Sequence, residues 1–247
     1  MLTCDNLDML TRRAFTRIIP SLALLALPDI SRSDLRKLIV FEGNSITALT
    51  PHAAPACWPT LFLYSAFAKG LNLRGVNVAV GTDNIYQCFD RAPIYVDPLL
   101  GLCDVGVCIL WEGTNALSVN DFDADKTFEQ HRAYCADRKL RGWRTIIGTI
   151  ISRQYGESPF SDPRHENARL RFNQLVRAYC REFDAVLDMG ADDKLGLQRS
   201  AWDASMFRDG IHLTEAGAQH VAEMAAPVIA SVLGQQYPLL FPLMLNN

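Results

Sequence analysis

Three side chains in this sequence are of the types that make and break acyl bonds: Ser45 in Gly43-Asn44-Ser45, and Asp209 and His212 in Asp209-Gly210-Ile211-His212. A serine hydroxyl is a poor nucleophile until a neighbouring base takes its proton. An imidazole suits that task because it gains and loses a proton near neutral pH. Asp209 stands three positions before His212. In a loop that bends at Asp209-Gly210, the carboxylate folds back to accept from His212 Nδ1. Nε2 is then left to face a serine, which is the orienting task of a triad acid. Acyl transfer also needs fixed donors for the oxyanion that develops on the carbonyl. The candidates are the Asn115 side-chain amide and the backbone N–H groups of Gly81 and Ser45. Gly81 is suited because a residue without a side chain lets its backbone approach a substrate closely. Taken singly, each residue has a plainer reading. Ser45 is a turn residue capping the next element, and Asp209-Gly210 is a turn before a helix-start histidine. Gly81 then merely ends a strand and Asn115 occupies a turn.

The elements that must position these residues follow from the hydrophobic pattern. Strand-like runs span Lys37–Gly43, Gly75–Gly81, Asp104–Gly113, Arg144–Ile151 and Asp184–Gly190. They are rich in Val and Ile, show little polar alternation and end near Gly, as strands buried on both faces do. Helical runs span Trp58–Gly70, Thr127–Gly142, Arg164–Phe183 and Thr214–Gly234, with Thr214 as the N-cap of the last. Strands alternating with helices predict right-handed crossovers and a parallel sheet covered on both faces, an α/β fold. Ligands of such sheets collect at the carboxyl ends of the strands. Ser45, Gly81 and Asn115 all follow strand-like runs, and Asp209 and His212 precede the last helix.

Ordered as Ser, Gly, Asn and then Asp-x-x-His, the four elements resemble the SGNH (GDSL-type) esterase and lipase family, over about Leu35 to Gly234. The resemblance implies a flavodoxin-like three-layer αβα sandwich around a five-stranded parallel sheet. It makes Ser45 the nucleophile, His212 the general base and then acid, and Asp209 its orienter. Ser45 N–H, Gly81 N–H and Asn115 form the oxyanion hole, and no cofactor or metal is required. The family's first block reads G-D-S where this chain has Gly43-Asn44-Ser45, and its third reads G-x-N-D where this chain has Gly113-Thr114-Asn115-Ala116. Loss of Asp at positions 44 and 116 is expected to alter loop hydrogen bonding more than chemistry.

Other readings fit less well. The α/β-hydrolase elbow G-x-S-x-G lacks its second Gly, since Thr47 stands there. A metallophosphoesterase needs several more Asp and His ligands, and His52, His131, His165 and His220 lack such company in the sequence. Ala116 motivates a catalytically impaired carbohydrate-binding module as the alternative, and a lipase or thioesterase of the same fold is a second. The resemblance favours hydrolysis of short-acyl, such as acetyl, esters of a carbohydrate or similar small molecule. The loops 47–58, 82–98, 116–125 and 154–164 would set specificity. They offer Trp58, Tyr86, Phe89, Phe122, Tyr155 and Phe160 to a sugar ring or acyl chain, with Asp162, Arg164 and His165 as a polar cluster whose plainer reading is solvated surface.

Composition bounds the rest. The chain has 247 residues, 49% of them apolar, with a formal charge of −3, enough for one α/β domain. The arginines are scattered, which excludes a basic nucleic-acid footprint. Seven cysteines form no C-x-x-C pair and no zinc-like cluster. Residues 1–34 carry Arg12-Arg13 before the apolar run Ile18–Pro28, like a twin-arginine export signal or a packed amphipathic helix, and too short to span a bilayer. Export to the periplasm or outside, or else a cytoplasmic site, is the expectation. The catalytic domain is expected over 35–234. The apolar tail 235–247, broken by Pro238 and Pro242, is expected to pack as an extended segment, without stable membrane insertion.

Overall fold

A computed structural model describes residues 36–48, 57–69, 73–154 and 163–234, all of them within the unit 35–247. Its first strand, β1 (Lys37–Gly43), is buried at all seven positions. That is what an apolar run without polar alternation requires when helices cover both faces of a sheet. Beside it run β2 (Leu73–Asn77), β3 (Val105–Trp111), β4 (Arg144–Gly148) and β5 (Ala185–Leu187). The order is β2-β1-β3-β4-β5, and every pairing is parallel. Gly43 is in register with Trp111, so the turns leaving β1 and β3 emerge side by side. The winding reverses between these two strands, and that is where open sheets of this type hold their ligands.

Successive side chains of a strand point to opposite faces, and β1 shows the result. Ile39 and Phe41 pack with Phe62 of α1 (Trp58–Ala68) and Val221 and Ile229 of α6 (Glu215–Val232). Leu38 and Val40 face the other layer, where Cys88, Leu117, Phe128 and Phe172 belong to α2 (Ile85–Tyr95), α3 (Thr114–Val119), α4 (Ala124–Arg141) and α5 (Arg164–Ala178). The architecture is a three-layer αβα sandwich. Ile39 and Phe172 have no exposed surface, and burial of such a side chain contributes about 1.5–3 kcal/mol. Thr214 caps α6, accepting from Gly217 N at 3.0 Å.

Most elements are shorter than the hydrophobic pattern suggests, but β1 matches it and α4 starts three residues earlier, at Ala124; two helices lie where it reads loops. Helix α2 occupies much of 82–98, begun by a capping box in which Asn84 and Gln87 exchange side-chain and backbone hydrogen bonds. Pro93 lies inside it. The short α3 takes the first four residues of 116–125 and holds Asn115 in its first turn, not at a strand end. Regular β2 stops at Asn77, four residues before Gly81, although Val78 and Val80 N–H still donate to Phe41 O and Gly43 O.

Among the described residues, Cys57, Cys88, Cys103, Cys108, Cys135 and Cys180 are free, and no helix is long and apolar enough to cross a membrane. The Arg12-Arg13 segment, the tail 235–247, His52, Tyr155, Phe160 and Asp162 lie outside the described residues.

Candidate active site

The turn after β1 is built by Asn44. Its Oδ1 accepts from Ile46 N at 3.0 Å, and its carbonyl accepts from Thr47 N and Ala48 N. The chain therefore makes one tight turn that lifts Ser45, half-buried, over the sheet edge. Gly43 is obligatory there. Its φ is +156°, and a Cβ would stand 2.3 Å from Trp111 O on the neighbouring strand.

Asp209 and His212 come from the loop before α6. That loop is closed by Arg208 N donating to His212 O and Thr214 N donating to Met206 O, each at 2.8 Å. Asp209 Oδ1 accepts from Ile211 N and His212 N, while Oδ2 stands 2.8 Å from His212 Nδ1. His212 Nε2 lies 2.9 Å from Ser45 Oγ. Gly210 makes the bend possible with φ +75°, where a Cβ would collide with Gln154. Burial works to raise the Asp209 carboxyl, but the His212 N–H and ring and the Ile211 N–H outweigh it and hold the group below the usual carboxylate range. An ionised Asp209 can only accept, so Nδ1 carries the proton and Nε2 is left to accept from the Ser45 hydroxyl.

Gly81 and Asn115 are drawn to the same edge by hydrogen bonds between turns. Val80 N donates to Gly43 O at 3.2 Å, and Asn115 Nδ2 donates to Asp83 O at 2.9 Å. Among the described residues, Ser45 N and Gly81 N have no protein acceptor. Thr82, next to Gly81, sits at φ +71°, a costly conformation for a β-branched residue and one that concentrates at functional sites.

Beneath this edge lies a buried polar cluster that the sequence reasoning missed. Glu112, directly after β3, accepts on Oε1 from Asn115 N at 3.1 Å, Ala116 N at 3.2 Å and Asn44 Nδ2 at 3.4 Å. Its Oε2 is 3.2 Å from His131 Nε2, both side chains being fully buried. Glu42, directly before Gly43, meets Arg91 at 2.5 Å, and Arg91 meets Asp83 at 3.2 Å. Burial pushes the Glu42 carboxyl up to about 7, against the opposing pull of Arg91 and Gly43 N–H. A signal for this cluster was present. The pair Glu-Gly ends both apolar runs, as Glu42-Gly43 and Glu112-Gly113, and a carboxylate closing a buried strand has to be satisfied inside.

Several residues read from the sequence as available to a substrate are not. Trp58 is 1% exposed in the core, and Phe89 packs edge-to-face on Tyr134. Tyr86 is the exception, its ring exposed although its hydroxyl donates to Asn120 Oδ1, while Phe122 lies under Arg164 and against His165. His165 is not solvated surface: it is fully buried beside Thr114 O, and burial pushes its pKa down to about 4. His131 and His220 each meet one carboxylate, short of a set of metal ligands. His220 stands 3.0 Å from Asp192 on the other side of the sheet from His131. Among the described residues no group of three or more His, Cys, Asp or Glu side chains could hold a metal ion.

A cavity of about 10 Å³ lies beside the nucleophile's turn, lined by Asn44, Ile46, Trp111, Glu112, Thr114, Ile150 and Ile151. A larger one of about 590 Å³ opens against Arg36, Lys37 and Arg74 at the opposite, amino-terminal end of β1 and β2, remote from the relay.

Comparison with known proteins gives the same picture. Residues 41–220 match the model of the GDSL-like lipase/acylhydrolase family. Solved structures with a similar fold include TesA, at 16% identity, covering 79% of this chain and 99% of that one with a TM-score of 0.59. A lipase/acylhydrolase from Enterococcus faecalis aligns at 16% identity over 83% of this chain and 100% of that one, with a TM-score of 0.59. Axe2, an acetylxylan esterase from Geobacillus stearothermophilus, aligns at 14% identity over 81% and 95%, with a TM-score of 0.55. At these identities the structural likeness establishes the fold alone. No curated protein sequence matches the chain.

Proposed function

The chain belongs to the GDSL-like lipase/acylhydrolase family, and we propose that within it the protein is a serine esterase acting on short-acyl esters of a carbohydrate or similar small molecule. The observation that carries this reading is the unbroken relay from Asp209 Oδ2 through the His212 ring to Ser45 Oγ, with links of 2.8 and 2.9 Å. Ser45 Oγ attacks the ester carbonyl carbon while His212 Nε2 takes its proton, and Asp209 steadies the imidazolium. In this reading the oxyanion is met by Ser45 N–H, Gly81 N–H and the Asn115 amide, whose other N–H is held by Asp83 O. Collapse expels the alcohol, which leaves with the proton from His212 and an acyl group on Ser45. A water molecule, deprotonated by His212, then repeats the addition and releases the carboxylic acid.

Two observations favour a small acyl group. The cavity beside Asn44 and Ile46, about 10 Å³, has room for about one methyl group or water. Two of the structural neighbours, AlAXEase and Axe2, are acetyl xylan esterases. Ala116 does not argue for an impaired site, because Glu112 already accepts its backbone N–H. Labelling by a fluorophosphonate, with Ser45→Ala as control, tests the enzyme reading; no Ser45-dependent adduct on folded protein rejects it. For the substrate, p-nitrophenyl esters of increasing chain length are compared with an acetylated polysaccharide, and a preference for chains of eight or more carbons rejects the short-acyl reading. The Arg12-Arg13 segment supports export of the folded enzyme. If periplasmic activity survives Arg12→Lys/Arg13→Lys unchanged, that part fails.

A further inference from the structure

Glu112 accepts a hydrogen bond from each of the two positions, 44 and 116, where this chain departs from the family pattern. One carboxylate oxygen, Oε1, takes two of the N–H groups at the start of α3, those of Asn115 and Ala116. Helix α3 has no side-chain cap of its own, its N-cap being Gly113, so Glu112 supplies the acceptor that a helix start requires. The same oxygen takes the Asn44 amide, whose other end, Oδ1, holds Ile46 N in the nucleophile's turn. Glu112 thus joins the turn that carries Ser45 to the turn that carries Asn115. An Asp at 44 would set carboxylate against carboxylate at this contact, whereas Asn presents a donor. An Asp at 116 would enter a position with no exposed surface.

The other oxygen is held by His131. Its Nδ1 is 2.8 Å from Thr127 O, one turn earlier in α4, and a carbonyl only accepts, so Nδ1 bears the proton. Nε2 stands 3.2 Å from Glu112 Oε2, an ion-pair distance, and neither atom has a hydrogen-bond partner among the described residues. Phe172 seals the ring from the far side, with centroids 5.0 Å apart.

We propose that Glu112, fixed from behind by His131, is a positioning residue for the reaction: it sets the distance between the nucleophile at Ser45 and the oxyanion donor at Asn115. The proposal rests on the esterase reading. It acts through hydrogen-bond reach, not through net charge, and this separates two near-isosteric replacements. Glu112→Gln keeps an acceptor for Asn115 N and Ala116 N and presents an amide to His131. Glu112→Asp keeps the charge but withdraws the oxygens by one methylene.

The experiment measures the rate of fluorophosphonate labelling at Ser45, and kcat and KM for a p-nitrophenyl acetyl ester, on variants whose fold is checked by circular dichroism. Glu112→Asp should lower kcat and labelling rate about 30- to 100-fold, somewhat less than loss of a whole oxyanion donor, with KM changed less than about threefold. Glu112→Gln should recover most of the rate, to within about fivefold of the wild type. The reverse order, or equal rates for all three proteins, overturns the positioning role. A wild type that labels normally beside an equally fast Glu112→Asp overturns this proposal alone. A wild type that takes no label overturns the esterase reading, and the proposal with it.

Discussion

Two histidine–carboxylate pairs stand at the same end of the sheet, and they differ in almost everything but their chemistry. Asp209 and His212 share one loop, three residues apart, with side chains 49% and 20% exposed. Glu112 and His131 come from the end of β3 and the middle of α4, and both side chains are fully buried. The exposed ring has a hydroxyl on its free nitrogen and can exchange a proton with it. The buried ring is closed in by a carbonyl, a carboxylate and an aromatic edge, so its proton has nowhere to go. One pair is built to change its state and the other to keep it. A carboxylate–imidazole contact alone does not mark a site; what faces the second nitrogen does.

This contrast is sharpest when either histidine is removed. His212→Ala, like Ser45→Ala, should lower ester turnover about 10⁴-fold or more while leaving the urea midpoint almost unchanged, because exposed ion pairs contribute little. His131→Leu should do the opposite in kind, leaving a buried carboxylate without its partner at a cost of about 3–5 kcal/mol in unfolding free energy. If His131→Leu proves as stable as the wild type, the buried pair is not the structural one.

Ala116→Asp restores the family's usual residue but forces a second carboxyl beside Glu112. It should destabilise by about 3 kcal/mol and not raise turnover, and a large gain in rate would show that the missing Asp limits the chemistry.

The buried region also predicts how stability depends on pH. Glu42 titrates near 7 in the fold against an ordinary value of 4.5, so between these values the folded protein binds more protons than the unfolded chain. Stability from this group therefore declines as pH rises from about 4.5 to 7. His165, about 4 in the fold against 6.5, acts oppositely: its contribution is complete above 6.5 and is lost as pH falls towards 4. Between about 4.5 and 6.5 the two slopes oppose each other, so urea midpoints of the wild type should be nearly level there, and Glu42→Gln should unmask the rise with pH that His165 produces. A level profile in that variant excludes Glu42 as the opposing group. The smallest effect is expected at Thr82→Gly, which relieves a strained φ of +71° but loosens the turn that aims Gly81 N–H. Stability should change by less than about 1 kcal/mol, and kcat should fall about threefold.

The alternation of apolar runs in the sequence determined the α/β class, and the strand-end polar residues marked the edge where Ser45, Gly81, Asn115, Asp209 and His212 gather. Those signals are local: periodicity of two against 3.6, glycine where a chain turns sharply, an Asp-Gly bend before a helix cap. Helix α2 carries a local signal in its Asn84–Gln87 capping box, set against Pro93 inside the helix, a residue that disfavours helix interiors. Other features were beyond the reach of local reading. That Trp58 fills the core, and that His165 is neutral and enclosed, depends on which layers cover them. The Glu112–His131 pair depends on α4 folding across the end of β3, which brings together residues 19 positions apart in the chain. Spacing along a chain is visible in any sequence; burial is a property of the packed layers, and it is burial that divides the two histidines.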